Sequence, residues 1–484
     1  MSDWRGRLLP VRLGPPGHGG FCVARYEGRV VFVRHGLPGE RVLARVTEDT
    51  GGAFCRADAV DILDPSADRV PATCPVAGPG GAGCCDFSHA TPAAQRALKA
   101  SVVAEQLRRI AGIDREIDVE PITGFGDRTG GWRTRIRLPV DAAGRAGTHR
   151  YRSTEVIADL RCPQPVPGAL DGIAERRWTP GADLVVAVDA EGIRHIVELA
   201  PADIDTGVRR GRRGHRADST ATVRRPGGRT FSGPPSGKRT DVPHTRASDD
   251  HRSDHGGEPR PSDIAGSDRR GAERRRAMAR RAATHTHREE WVLGGSGRAV
   301  EYVAGRRWEV SATGFWQAHR DAAQCYSDVV AQWSDLAAGD RAWDLYSGAG
   351  VFAARLAEQV GPTGSVLAVE SAPSAVADGA AALRDLPWLD LRAQRVERWV
   401  TEHTAGPAPR VVVLDPPRAG AGKTVVGPLT AAGPARIVHI GCDPAAFARD
   451  LSLYRAAGYH PTELRAFDAF PATHHVECLA LLER

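Results

Sequence analysis

From Trp316 onward the chain alternates short apolar runs with stretches of helical spacing, and this alternation narrows the fold more than any other feature. The runs are RAWDLYSG, GSVLAVE, RVVVLDPPR, RIVHIGCDP and CLALLER. Strands that are apolar on successive positions are covered on both faces, and helices between them are the crossovers that parallel pairing needs. An α/β fold with a doubly wound, mostly parallel sheet follows for residues 316–484. Ligands of such sheets bind beyond the carboxyl ends of the strands, so the residues just after each run carry the functional interest.

The rest of the chain has a different grammar. Residues 1–63 hold short β-runs punctuated by glycine, GFCVARYEGRVVFVRHGLPGERVLARV and AFCRADAVDIL, as in a small β-barrel. Further hairpin patterns, WRTRIRLPVDAAGR and ADLVVAVDAEGIRHIVEL, predict a mainly β central domain. Between the two β regions, PAAQRALKASVVAEQLRRI has helical spacing behind a Thr91-Pro92 start signal. Residues 206–289 are poor in aliphatics, with Phe231 the one aromatic, and rich in Arg, Gly, Pro, Ser, Asp and His. Such a segment cannot bury enough apolar area to offset chain entropy, which predicts a disordered, arginine-rich insertion. The central domain is then 64–205 plus 290–315, interrupted in sequence and continuous in space.

Composition enters where it excludes. At 484 residues the chain exceeds one ordinary core. It has no apolar stretch of about eighteen residues, and MSDWRGRLLP has no apolar run of signal-peptide type. A cytoplasmic protein with no membrane partner is the expectation. The net charge of +6 hints at a polyanionic partner. However, the 206–289 segment holds roughly twenty arginines and half as many acids, so it supplies the whole excess. Lysine occurs only at Lys99, Lys238 and Lys423, so arginine abundance reflects a general bias and is weak evidence of RNA binding. Nine cysteines are too few and too uneven for a disulfide framework. Cys74, Cys84 and Cys85 cluster, whereas Cys442 stands apart.

Four strand ends carry chemistry. The first run ends in Asp344-Leu345-Tyr346-Ser347-Gly348-Ala349-Gly350, where glycines let the backbone approach a ligand. VLAVE ends in Glu370, placed to hydrogen-bond the ribose of a nucleoside cofactor. That pairing suits NAD or S-adenosylmethionine (SAM), and as an ordinary strand-end carboxylate Glu370 would mean neither. RVVVL runs into Asp415-Pro416-Pro417-Arg418, a tight turn that resembles the fourth motif of SAM-dependent methyltransferases and fixes polar groups where a flipped base is held. RIVHI delivers Gly441-Cys442-Asp443-Pro444 to the same edge. An isolated strand-end cysteine is usually a small hydrophobe. Beside the DPPR cleft, Cys442 suits thiolate addition to C6 of uracil, which makes C5 nucleophilic. The C5 proton must then leave, and Glu477 in FPATHHVEC is the candidate base, ahead of His475.

Taken together, DLYSGAGVF, DPPRAG, GCDPAAFARDL and FPATHHVECLALL resemble the RNA uracil-5 methyltransferase family, which makes 5-methyluridine. The N-terminal segment resembles the TRAM domain that precedes many of its catalytic regions. Outside the insertion, the resemblance covers nearly the whole chain. It implies a Rossmann-like class I methyltransferase domain, SAM as cofactor, and RNA as partner, ribosomal RNA ahead of transfer RNA. It assigns Cys442 as nucleophile and Glu477 as base. Gln317, Tyr346, Gly348, Gly350, Glu370 and Asp415 fall at SAM-site positions. A monomer is expected.

The pattern also departs from the family. Ser347 replaces a common cysteine, Val351 an asparagine and Gly441 a serine. Some members bind a [4Fe-4S] cluster, and Cys74, Cys85 and Cys162 fit three of its positions; the fourth is Ala82, with adjacent Cys84 as the only substitute, so an intact cluster and a degenerate loop both stand. Cytosine-5 enzymes carry a cysteine in the DPPR turn and adenine-N6 enzymes an aromatic after the prolines; Arg418 is neither. The alternative of another class is a non-catalytic RNA-binding or ribosome-assembly factor. Loop substitutions favour it, and the presence of both Cys442 and Glu477 opposes it.

Overall fold

A computed structural model describes residues 3–202, 288–403 and 406–484. The arginine-rich segment expected to be an insertion lies outside the described residues, apart from its last two positions. Six strands open the chain: β1 Leu8–Arg12, β2 Pro16–Gly17, β3 Phe21–Tyr26, β4 Arg29–Arg34, β5 Arg41–Asp49 and β6 Phe54–Asp64. They form one sheet in the order β1-β5-β6-β4-β3-β2. Gly14 N donates to Val23 O at 2.8 Å and Val23 N to Pro15 O at 3.0 Å, joining the chain after β1 to β3 and closing the expected barrel. Alternate residues such as Leu9, Val11, Val31, Val33, Val42 and Ala44 fill it.

Helix α1, Pro92–Gln106, starts where Thr91 Oγ1 accepts from Ala94 N at 3.3 Å and a proline occupies the first turn. It runs through a π-helical turn, Leu107–Ala111, to Gly112, and the short strand β7, Val119–Pro121, follows. The central sheet contains β8 Arg135–Pro139; the pair β9 Thr148–His149 and β10 Val156–Ile157 stands beside it. With β11 Asp183–Val188, β12 Arg194–Leu199 and β13 Glu290–Gly294 it has the antiparallel order β13-β12-β11-β8. The segments flanking 206–289 are neighbours, with Leu199 opposite Glu290. Two residues assigned by composition to the insertion are held against this sheet: Glu289 O accepts from Ala200 N at 2.9 Å, and the buried Arg288 guanidinium pairs with Asp183. A hairpin of β14 Arg298–Val303 and β15 Arg306–Ser311 leaves the central sheet to dock on the C-terminal unit, where Trp308 Nε1 donates to Ala349 O at 3.0 Å.

The C-terminal unit runs α2 Ala322–Ser334, β16 Arg341–Leu345, α3 Val351–Val360, β17 Ser365–Glu370, α4 Pro373–Ala382, β18 Leu389–Ala393, α5 Val396–Glu402, β19 Val411–Leu414, α6 Lys423–Ala431, β20 Arg436–Gly441, α7 Pro444–Ala456, β21 His460–Asp468 and β22 Glu477–Glu483. Its sheet has the order β18-β17-β16-β19-β20-β22-β21-β7. β18 to β20 are parallel, and β22 is antiparallel to both neighbours. Both faces are covered, as the apolar runs require. Val411 and Val413 face the core built with α2 and α3, whereas Val412 and Leu414 face the one built with α5, α6 and α7.

The domain edge expected near residue 316 is not a packing boundary. β7 pairs with β21 as the last strand of this sheet, and Val103 and Leu107 share a core with Leu451 and Tyr454 of α7. Residues 92–121 therefore serve the C-terminal sheet, because the antiparallel addition at its edge leaves apolar surface on β21 and α7 that only this segment covers. β18 and β21 are not evident in the sequence pattern; LDLRA and HPTELRAFD are polar and partly exposed. No helix among the described residues is long and apolar enough to cross a membrane.

Candidate active site

Strand order reverses at β16, which lies between β17 and β19, and the crevice beyond these carboxyl ends is the place for a ligand in such sheets. After Leu345 the chain turns sharply: Tyr346, Gly348 and Gly350 all have left-handed backbones, with φ of 62°, 55° and 76°. Glycine suits position 350 because its φ is left-handed; a Cβ there would also lie 2.8 Å from Leu383 Cδ1, the tip of a side chain that would have to shift. Beneath the loop, the fully buried Asp344 accepts from Ala353 N at 2.8 Å in the first turn of α3. Ser347 is buried, and its hydroxyl has no partner among the described residues.

Glu370 closes this end of the crevice. Its Oε2 accepts from Gly348 N at 3.1 Å and its Oε1 from Ala372 N at 2.7 Å, so one carboxylate ties the glycine loop to the turn before α4. Oε2 keeps a lone pair for a further donor. Tyr346 is turned towards α5, where its hydroxyl donates to Glu397 Oε1 at 3.4 Å. Gln317 reaches the same crevice from the segment before α2, and its Nε2 donates to Asp415 Oδ2 at 3.4 Å.

Asp415, Cys442 and Glu477 meet at the next strand ends. In the antiparallel β20–β22 pair Gly441 stands opposite Cys478, so Cys442, just beyond β20, and Glu477, the first residue of β22, leave the ladder side by side. Burial raises all three groups. Asp415 is pushed up to about 7. The Cys442 thiol is pushed up to about 12, by burial first and by the Glu477 charge second, with Arg418 pulling it down. Glu477, 3% exposed, is held well above the usual carboxylate range by burial and by Asp415, again opposed by Arg418. Burial thus favours the neutral forms of both the thiol and the acid, and Arg418 is the positive charge that opposes it. Arg418 Nη2 lies 3.4 Å from His475 Nε2, and burial with neighbouring positive charge pushes His475 down to about 2.

The segment before Glu477 is clamped by groups that sequence reasoning missed. Lys99 of α1, with a fully buried side chain, pairs with Asp468 and donates to Phe470 O at 3.1 Å. Gln95 Oε1 accepts from Ala472 N at 2.7 Å, and Phe87 N donates to Ala472 O at 3.0 Å. The available signal was Lys99 itself: a rare lysine on the apolar stripe of a helix needs a buried acid.

The four cysteines near the barrel form a thiol group of another kind. Cys74 and Cys85 are buried with Cys84 packed against them, and both Cys74 and Cys84 hydrogen-bond the Cys85 thiol. Gln164 Nε2 donates to Cys85 Sγ at 3.2 Å, and burial pushes the Cys162 thiol up to about 11. Ala82, at the fourth expected position, is buried with its N donating to Val76 O at 2.7 Å. Among the described residues no group of three or more His, Cys, Asp or Glu is arranged to hold a metal ion. The set does not fit the [4Fe-4S] cluster.

The chain is similar to known proteins over nearly its whole length. Residues 4–60 match the TRAM domain family, and residues 408–484 match the tRNA (Uracil-5-)-methyltransferase family. An uncharacterized RNA methyltransferase of Streptomyces avermitilis is 40% identical over 99% of this chain and 98% of its own length. The 23S rRNA (uracil(1939)-C(5))-methyltransferase RlmD of Alkalilimnicola ehrlichii is 30% identical over 96% of this chain and 94% of its own. In fold, the chain is similar to the Pyrococcus abyssi tRNA (uracil-54, C5)-methyltransferase solved with S-adenosyl-L-homocysteine. The TM-score is 0.59, with 17% identity, 98% of this chain and 100% of that one covered.

Proposed function

Because the chain belongs to the SAM-dependent RNA uracil-5-methyltransferase family, we propose that it methylates C5 of a uridine in ribosomal RNA through a covalent bond between Cys442 and C6. The observation that carries this reading is the β20–β22 register, which sets a thiol and a buried carboxyl side by side at the edge where Asp415 also ends its strand. The glycine loop and Glu370 suit SAM: the left-handed backbone leaves open space above Gly348, and Glu370 Oε2 can accept from a ribose hydroxyl. SAM supplies the electrophilic methyl group.

The chain's own residues do the rest. Asp415, fixed by the Pro-Pro turn and by Gln317, holds the polar edge of the extruded base. Cys442 gives its proton to water before the RNA closes the site, its thiolate adds to C6, and the electron pair of the C5–C6 bond takes the methyl at C5 as the thioether S-adenosylhomocysteine leaves. Glu477, once ionised, removes the C5 proton; the C5–C6 double bond re-forms and the Cys442 thiolate leaves. Burial serves this sequence by excluding water from the adduct. Arg418 stabilises whichever of Cys442 and Glu477 is charged.

Ribosomal RNA is favoured because the relative from Alkalilimnicola, similar over nearly the whole chain, is named for 23S rRNA. The test is to map 5-methyluridine in total RNA from cells with and without the gene. Loss of one ribosomal 5-methyluridine is expected; loss from transfer RNA alone would move the substrate, and no loss would remove the activity.

A further inference from the structure

One turn of the barrel touches both arms of the catalytic pair. His18, in the β2–β3 turn, has its Nε2 3.1 Å from Asp443 Oδ2. Asp443 follows Cys442 directly and caps α7, its Oδ1 accepting from Ala445 N at 3.1 Å and Ala446 N at 2.9 Å. Two residues on, Gly20 packs against the other arm: a Cβ there would lie 3.0 Å from Asp86 Cβ and 3.2 Å from His474 Cβ. Asp86 is buried and bridges the barrel to that arm, accepting from Arg34 Nη2 of β4 at 2.7 Å and meeting His474 Nδ1 at 2.5 Å. His474 stands three residues before Glu477.

We infer that the β2–β3 turn of the barrel positions the catalytic pair, His18 setting the nucleophile through Asp443 and the Arg34–Asp86–His474 chain setting the base. The inference rests on the reading of Cys442 as nucleophile and Glu477 as base. Its physical ground is that neither group is fixed by the sheet alone. Cys442 lies one residue beyond β20, and Glu477 opens β22 after a turn in which Ala472 has a left-handed φ of 66°. Strand ends that must hold reacting atoms within a fraction of an ångström need support from outside the sheet, and displacement by about 1 Å can cost up to a hundredfold in rate. Here the support comes from the barrel, otherwise expected only to grip RNA. His18 and His474 are positioning residues, acting through Asp443 and through the segment that carries Glu477.

The two arms separate kinetically. A ribosomal RNA transcript carrying 5-fluorouridine traps the methylated adduct, because fluorine cannot leave as a proton does, and its rate of formation reads the nucleophile arm. Release of tritium from a transcript carrying [5-3H]uridine also requires the base. His18→Ala should slow trapping by about tenfold or more, with His18→Gln, whose amide nitrogen reaches a similar point, restoring much of it. His474→Ala leaves the Arg34–Asp86 pair intact; it should trap at the wild-type rate and release tritium about tenfold more slowly. The inference is overturned if both variants match wild type in both measurements, or if His474→Ala loses trapping and tritium release equally, as simple loosening of the barrel would produce. Cys442→Ala, run alongside, tests the underlying reading separately: turnover or trapping in that variant would remove the covalent mechanism whatever the other variants do.

Discussion

A half-buried thiol beside two carboxyls is a weak nucleophile until it loses its proton, and this decides how activity follows pH. Burial holds the Cys442 pKa up near about 12, above that of an exposed cysteine. The reactive thiolate is therefore the minor form at neutral pH, and its fraction rises about tenfold per pH unit up to the raised pKa. Glu477 is raised in the same direction, so its basic form also becomes more populated as pH rises. Adduct formation should climb without a plateau from about pH 7 to pH 9; a plateau below pH 8 in single-turnover trapping would show that RNA binding alone deprotonates Cys442. Glu477→Gln separates the two steps, since addition and methyl transfer need no base at C5 whereas elimination does. A protein–RNA adduct that survives denaturing electrophoresis should accumulate, with turnover reduced by about a hundredfold or more. Undiminished turnover would assign the base elsewhere. At the cysteine group, anaerobically purified protein should carry less than one iron per chain. Four irons would show that Cys84 completes a cluster after all.

At the scale of elements, the glycine loop between β16 and α3 is where backbone conformation limits chemistry. Gly350→Ala meets two obstacles, a left-handed φ that costs an L-residue about 1–2 kcal/mol and contact with Leu383. Thermal unfolding should show that loss, and titration with SAM should show weaker binding while RNA affinity is retained; unchanged SAM affinity would separate this loop from the cofactor. The loop, β17 with Glu370, the DPPR turn and the Cys442 turn were all legible as strand ends because parallel strands buried on both faces are uninterrupted apolar runs. Strands β18 and β21 were not, since a strand near a sheet edge is specified by its neighbour's hydrogen bonds and needs few apolar residues of its own. The clamp from α1 was equally hidden. Lys99 and Asp468 are separated by more than 350 positions, and nothing local in either links them.

At the scale of the whole molecule, the chain leaves the central sheet at β12 and returns at β13, and these strands pair with each other. Replacing residues 203–287 by a short Gly-Ser linker should therefore preserve folding and turnover at saturating RNA, because closing a surface loop between adjacent strand ends costs little. Loss of either would make the segment part of the catalytic unit. The salt dependence of RNA affinity with and without it measures whether its arginines contact phosphate. By itself, the sequence determined the doubly wound sheet, its functional edge and the family, and it singled out Cys442 and Glu477 as the pair for the proposed chemistry. Periodicity and strand-end residues are local, and the four motifs recur in order. Only the tertiary structure decided that residues 92–121 complete the C-terminal sheet, that the Tyr346 hydroxyl turns to Glu397, that Arg288 packs against the central sheet and that a barrel turn reaches the segments carrying both Cys442 and Glu477. Each of these depends on which distant groups bury one another, and burial between segments far apart in the chain leaves no period or spacing to read.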